Sequence, residues 1–391
     1  MSGNILTEML FNYLKSKIKR RKVDSNLDAN QRISASSLYR LLEREKIVPH
    51  LNFNRIPSPQ INKDVDYLDK FKGALIGVGI GDAMGAPVEG WPPDRIKKPV
   101  REYRTKKYSS RPKGDITDDT RLTMFLADSY IACGRLYLPD LAKRFVSETV
   151  RGSGRTYKAF VENFSSKKMR WYETGIESPT NGSAMRVSPA GLMNIDNYHT
   201  LKAEAALQCM MTHNDRMAIA SSIVQGLAVA ELTHLIPGTI EDRKYGIIDG
   251  LAMSIRGIEG GRYKDRNGIP TSLYKRIAEE MKGMLSENPL KVRAVWNNRS
   301  YVLESLPFAL YSFLRTPDNF EETLYTAVNA GHDADTVASM ACALSGAYLG
   351  YRNIPKELVD GLLVSHVLKT QAKSLYDLKK NELNSEEARK T

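Results

Sequence analysis

The sequence predicts an all-α protein: a compact multi-helix body carrying an N-terminal helical and extended arm. Three observations predict it. Apolar residues recur at helical spacing over 121–133, 201–211, 216–235, 274–285, 301–314, 320–330 and 336–350. The alternation of half-buried strands is scarce. Within one apolar run, Gly73, Gly77, Gly81 and Gly85 recur every four residues, which on a helix is a single bare stripe.

The chain has 391 residues, with 42% hydrophobic and 26% charged. That composition is ordinary for a soluble globular protein and excludes wholesale disorder and a polytopic membrane protein. At roughly 100–200 residues per domain, the length allows two to four domains or one large domain with an appendage. Composition divides it into an arm at 1–66, a body at 67–370 and a charged tail at 371–391 that is expected to fray from Leu378 onward. Three distant cysteines, Cys133, Cys209 and Cys342, form no CxxC pair. A disulfide scaffold, a zinc ribbon and a thioredoxin-type site therefore find no support, and a reducing compartment is the simple reading. The start has no basic region followed by a long apolar core, and no run of 18 apolar residues occurs. The expectation is a cytoplasmic protein without a membrane span.

In the arm, Ile5, Leu6, Met9, Leu10, Tyr13, Leu14 and Ile18 fall at helical spacing. The cluster Lys15, Lys17, Lys19, Arg20, Arg21, Lys22 ends that helix. A second helix with serine caps is expected from Ser34 to Glu45, and Pro49, Pro57 and Pro59 mark an extended linker. Net charge is +12; residues 1–60 carry 11 Lys/Arg against 5 Asp/Glu, a surplus of six. A basic arm favours anionic partners, among them acidic proteins, nucleic acid and anionic lipid. Base stacking is poorly supplied, with only Phe11 and Tyr13 near the patch, so nucleic acid is the weaker candidate. The arm either packs on the body or docks a partner.

The glycine stripe lets another helix or a ligand approach the backbone. Each glycine costs a helix roughly 1 kcal/mol, so four need a packing reason. A membrane dimer motif fails because Asp82 interrupts the span. A dinucleotide fingerprint fails because the glycines at 77, 79, 81 and 85 have the wrong spacing.

Two segments carry candidate chemistry. Gly114-Asp-Ile-Thr-Asp-Asp-Thr leads into one apolar helix, and Gly331-His-Asp-Ala-Asp-Thr leads into another. Either alone reads as helix capping. Together they hold more carboxylates than caps need, beside helices expected to be buried. Brought together, they would repel unless protonated or neutralised by cations. Asp, Thr and carbonyl oxygens are hard ligands suited to Mg²⁺, Mn²⁺ or Ca²⁺, and two ions about 4 Å apart fit such a set.

From about 70 to 365 the chain resembles the ADP-ribosylglycohydrolase family. The resemblance rests on ordered blocks: GALIGVGIGDAMGAPVEG (73–90), GDITDDTRLTMFLADS (114–129), SPTNGSAMRVSPAGL (178–192), THNDRMAIASSIVQG (212–226) and AGHDADTVASMACALSGAYLG (330–350). It implies an all-α fold with two Mg²⁺ or Mn²⁺ ions. By match to the family motif, Thr117, Asp118, Asp119, Asp333, Asp335 and Thr336 would be metal ligands. Glu89 would lie near metals and substrate, and Glu89, Asp118 and Asp335 would be catalytic; taken alone, Glu89 reads as a solvated loop acid. Ser178, Asn181, Gly182, Ser183 and Met185 match the loop that contacts ADP-ribose, with Arg186 following and His213 near the ligand. Buried ion pairing accounts equally well for Arg186, and helix capping for His213. One departure stands out: His332 occupies a place where the family often has glycine, which predicts an altered mouth to the site.

The resemblance implies hydrolysis of a glycosidic bond at the distal ribose of ADP-ribose on a modified protein. Family members release ADP-ribose from arginine, serine, polymers or small acetylated products, and family frequency favours arginine. An inactive ADP-ribose-binding member is the alternative. Some members that carry an added N-terminal arm resemble this plan and act as immunity proteins against ADP-ribosyltransferase toxins. The expectation carried forward is a toxin partner bound by residues 1–60.

Overall fold

The computed structural model describes residues 33–51, 56–105, 112–261 and 263–390. The helix expected over Ile5–Ile18 and its basic cluster lie outside these residues. Among the described residues there is no strand, only three isolated bridges. The protein is all-α.

Two helices form the centre, Tyr67–Gly85 and Ala334–Leu349, and both are buried nearly all round. Such helices belong to an interior rather than a surface. The glycine stripe explains how they meet. A methyl group at Gly73, Gly77, Gly81 or Gly85 would collide with the backbone of Gly346, Cys342, Ala338 or Ala334 in turn. The partners descend by four as the glycines ascend by four, so the helices run antiparallel, backbone against backbone. Gly346 repays the contact by accepting Gly73 at equally close range.

Asp118–Cys133, Arg216–Thr233, Val302–Arg315 and Phe320–Val328 pack on this pair, and Tyr198–Met210 lies on Arg216–Thr233. The pattern at 274–285 is interrupted, because a π turn at Arg276–Glu280 separates Leu273–Lys275 from Met281–Met284. The last helix, Ser365–Lys390, packs on the glycine helix. It continues past Leu378. Leu368, Ala372 and Leu375 are fully buried, and Lys379, itself buried, pairs with Asp196. Within the stretch expected to fray, Lys379 also pairs with Glu382 one turn on, at 3.1 Å.

Part of the arm joins this core. The Ala35–Arg44 helix is capped by Ser34 and lies on Tyr198–Met210. Tyr39 and Leu42 are fully buried, and Val48 and Leu51 nearly so. Asn214 donates from Nδ2 to the Ile47 carbonyl at 2.9 Å, and the Tyr39 hydroxyl donates to the Pro49 carbonyl at 2.9 Å. No described helix is long and apolar enough to cross a membrane.

Candidate active site

The antiparallel seam brings the C-terminal turns of the glycine helix to the N-terminus of Ala334–Leu349. This places Asp82 beside Asp335. The N-terminus of Asp118–Cys133 arrives at the same point because Asp82 holds it. Thr117, at its N-cap, makes no capping bond of its own. Instead Asp82 accepts from the Thr117 backbone N–H at 2.9 Å and hydroxyl at 2.8 Å, and from the Thr120 N–H at 3.1 Å. The Thr120 hydroxyl donates as well. One fully buried carboxylate thus caps a helix it does not belong to.

The result is a cluster in which Asp82, Asp119 and Asp335 each bring a carboxylate oxygen within 4.8 Å of the others. Asp119 accepts from Thr117 Oγ1 at 3.2 Å and Thr336 Oγ1 at 3.4 Å through Oδ2. Its Oδ1 is buried with no hydrogen-bond partner. Asp333 accepts from Asn181 Nδ2 at 2.7 Å. Burial, then neighbouring carboxylates, push these acids up. Asp118 rises to about 7, with Asp82 the next cause after burial. Asp333 rises to about 6, against the lowering hydrogen bond from Asn181. Asp119 and Asp335 stand well above the ordinary range. Like charges crowded in a low-dielectric site cannot all ionise unless something positive is added. The orphaned oxygen, the hard donor set and the upward shifts fit a divalent cation. Asp82, Asp119 and Asp335 are the group whose oxygens lie close enough together to hold one.

Glu89 reaches the cluster through backbone pairing. His332 donates its N–H to the Trp91 carbonyl at 2.6 Å and accepts from the Gly90 N–H at 2.6 Å. This ties the 89–91 turn to the 331–333 loop, and the Glu89 charge acts on Asp118, Asp333 and Asp335. His332 has φ of +52°, in the left-handed region where glycine is usual. The departure from the family pattern thus falls on a backbone position that suits glycine.

The expected ligand loop is divided. Asn181 faces Asp333, and its backbone N–H donates to the Ser300 carbonyl at 3.0 Å. The Ser183 side chain turns inward, accepting from Ser222 Oγ at 2.8 Å and Cys209 Sγ at 3.0 Å. Met185 is buried, and Ser178 lies 3.2 Å from the Thr180 hydroxyl. His213 is buried, with Nδ1 2.7 Å from Thr212 Oγ1 and Nε2 3.1 Å from Thr180 Oγ1. Burial and then Arg186 push it down to about 3, so it stays neutral. It does not cap the helix that follows; Asp215 does.

A hollow of about 180 Å³ opens beside the cluster, lined by Glu89, Arg104, Asp115, Thr117 and Gly152 among others. Two larger hollows, of about 350 and 440 Å³, lie against 56–57 and 46–49 and contain none of the candidate carboxylates. The sequence reading missed Asp82 and Gly152. Asp82 had a signal, the one charged residue in the run from Gly73 to Gly85. Gly152 had none: its φ is +86°, and a Cβ there would lie 2.7 Å from Asp118 Oδ1.

Comparison with known proteins places the fold in a family. The model of the ADP-ribosylglycohydrolase family matches residues 63–384. The chain is 27% identical to ADP-ribosylarginine hydrolase Tri1 of Serratia proteamaculans over 330 residues, covering 81% of this chain and 82% of that one. It is 27% identical to ADP-ribosylhydrolase ARH3 of Gallus gallus over 342 residues, covering 79% and 93%. A solved structure described as an ADP-ribosylglycohydrolase-related protein complex superposes with a TM-score of 0.65 at 26% identity, covering 80% of this chain and 99% of that one. Matched over most of its length by the family model, the chain belongs to the ADP-ribosylglycohydrolase family.

Proposed function

We propose that this chain is a metal-dependent hydrolase that releases ADP-ribose from modified protein side chains, arginine first among them. The observation that carries the reading is the convergence of Asp82, Asp119 and Asp335 within 4.8 Å, with Asp118, Asp333 and Glu89 around them. The relative named as an ADP-ribosylarginine hydrolase supports arginine as the acceptor. Asp118, Asp119, Asp333, Asp335, Thr117 and Thr336 would hold two Mg²⁺ or Mn²⁺ ions. Bound there, the cations supply positive charge for the ribose hydroxyls and for an attacking water.

The chain's own groups do the rest. Asp82 fixes the helix that bears Asp118 and Asp119. Asn181 orients Asp333. Glu89, on the turn tied to His332, or one of the site aspartates would take a proton from water and return it to the departing side chain. The Gly182 and Ser183 backbone N–H groups would meet the anionic part of the ligand, since the Asn181 N–H is bonded to Ser300 and the Ser183 side chain is turned inward. In the overall reaction one water is consumed, the ribose–nitrogen bond breaks, and ADP-ribose leaves the restored arginine side chain of the protein.

The test is release of ADP-ribose from an arginine-modified protein, with and without Mg²⁺. Metal-dependent release that disappears in Asp118→Ala is expected. Release from serine-linked or O-acetyl substrates, and none from arginine, would reassign the linkage. No release from any of them would sink the hydrolase reading.

The basic arm supports a second role: residues 1–60 bind an ADP-ribosyltransferase toxin and block it. The surplus of six positive charges there supports it, because such a surface could stand in for a positively charged target. Tyr39 and Leu42 belong to the core, so the informative deletion ends at residue 32. Loss of toxin binding with hydrolysis retained is the expected outcome; undiminished binding would refute the role.

A further inference from the structure

We propose that Arg186 is a positioning residue for the ligand, holding the 181–183 turn and His213 in one arrangement through Gly182 and Thr212. The inference rests on the hydrolase reading above. Arg186 is 1% exposed, yet its hydrogen bonds go to neutral acceptors and not to a carboxylate. Nε donates to Gln208 Oε1 at 2.8 Å, and Nη1 to the Gly182 carbonyl at 3.1 Å. Nη2 donates to the Gln208 carbonyl at 2.8 Å and to Thr212 Oγ1 at 2.9 Å. The guanidinium stacks on Phe145, 4.9 Å from the ring centre.

A buried cation without an ion-pair partner is costly, and a packed apolar side chain would serve a core better. What the guanidinium achieves is geometric. Its rigid fork reaches both sides of one tight contact. On one side is the Gly182 carbonyl. On the other is Thr212, whose hydroxyl lies 2.7 Å from His213 Nδ1. Gly182 and His213 touch directly: a Cβ on Gly182 would sit 3.0 Å from His213 Cε1. His213 then meets Thr180 at 3.1 Å, closing a ring from Arg186 through Thr212, His213 and the 180–182 backbone back to Arg186. Turning the Gly182 carbonyl inward also sets the peptide plane, so the Ser183 N–H points the opposite way. Asn181, in the same turn, bonds Asp333. Arg186 therefore sets the turn that spans the ligand side and the carboxylate side.

The experiment titrates ADP-ribose into the full chain with Mg²⁺ present and measures KM and kcat on arginine-linked substrate. Arg186→Lys keeps the charge and loses the fork; Thr212→Val keeps the shape and breaks the link to His213. Both variants are expected to bind ADP-ribose about tenfold more weakly or worse. KM should rise more than kcat falls, and Mg²⁺ should still stabilise both variants. If Arg186→Lys does not fold, Thr212→Val carries the test. Variants that melt earlier but bind ADP-ribose as tightly as wild type would show a merely structural role and overturn the proposal. A wild-type chain that binds no ADP-ribose would instead overturn the hydrolase reading, and this proposal with it.

Discussion

Asp82 caps the helix that begins after Thr117, although the two residues lie on different helices and 35 positions apart. The carboxylate therefore has two duties. It completes the acidic cluster, and it fixes the end of the helix that brings Asp118 and Asp119 to it. Removing it leaves the Thr117 N–H and the Thr120 N–H and hydroxyl unsatisfied in a buried place. Each such loss costs about 1–3 kcal/mol, which outweighs the relief from one fewer buried charge. Asp82→Ala should lower the melting temperature by about 5–10 °C and remove stabilisation by Mg²⁺. Calorimetric melting with Mg²⁺ and with chelator measures both effects. An unchanged melting temperature would show that the cap is dispensable.

Stability without metal should fall as pH rises. An aspartate held above its unfolded value binds its proton more tightly in the folded chain, so its stabilising effect is complete below the unfolded value of 3.8. That effect is lost as pH climbs through about 6 for Asp333 and about 7 for Asp118. In chelator, wild type should lose more stability between pH 5 and 7.5 than Asp118→Asn does, by about 2–6 °C in melting temperature. Mg²⁺ should erase most of the difference. Parallel pH profiles for the two proteins in chelator would contradict the assignment.

The glycines are not interchangeable. A Cβ at Gly81 meets the Ala338 backbone, which has nowhere to go, whereas one at Gly250 meets nothing within 4 Å. Gly81→Ala should destabilise by about 3 kcal/mol or more and pull Asp335 out of register. Gly250→Ala, in the helix Lys244–Ile255, should stabilise by about 0.5–1 kcal/mol. Denaturant midpoints separate the two.

Gly152→Ala should act on the site more than on the fold. The new methyl would press on Asp118 Oδ1, and the φ of +86° would add backbone strain. Hydrolysis should drop at least tenfold while the helical circular dichroism stays as in wild type. Full activity in this variant would show that the 151–153 turn yields easily.

His332→Gly tests the one family departure in the acidic blocks. Relief of the left-handed strain, about 1–2 kcal/mol, is nearly offset by the freer unfolded chain. The melting temperature should move by no more than about 2 °C, and turnover should be retained. A large loss of turnover would give the imidazole itself a part in catalysis.

What the sequence revealed follows a physical line. The four-residue glycine spacing announced a close helix–helix approach, because only a bare stripe allows it, and the structure has that seam. The paired acidic helix starts announced a cluster, because caps need fewer carboxylates. Two things were hidden. Asp82 belongs to the cluster only because the seam brings its turn there, and no local pattern states where a seam ends. Gly152 matters only through a neighbour 34 positions away, a contact made by folding alone. The C-terminal helix was misread for a similar reason. Its charges look solvated in sequence, but Lys379 lies buried against Asp196, 183 positions earlier.

The seam between Tyr67–Gly85 and Ala334–Leu349 has a further consequence. Where helices meet through side chains, rotamers can absorb a change in spacing. Here peptide meets peptide, and no rotamer lies between them. The separation of the two acid-bearing ends is set by the peptide skeleton, like the gap in a caliper that has been locked. Loops, the arm and the outer helices can drift over evolution or with temperature without altering that gap. The chain is thereby free to change what it recognises while keeping fixed where its acids stand.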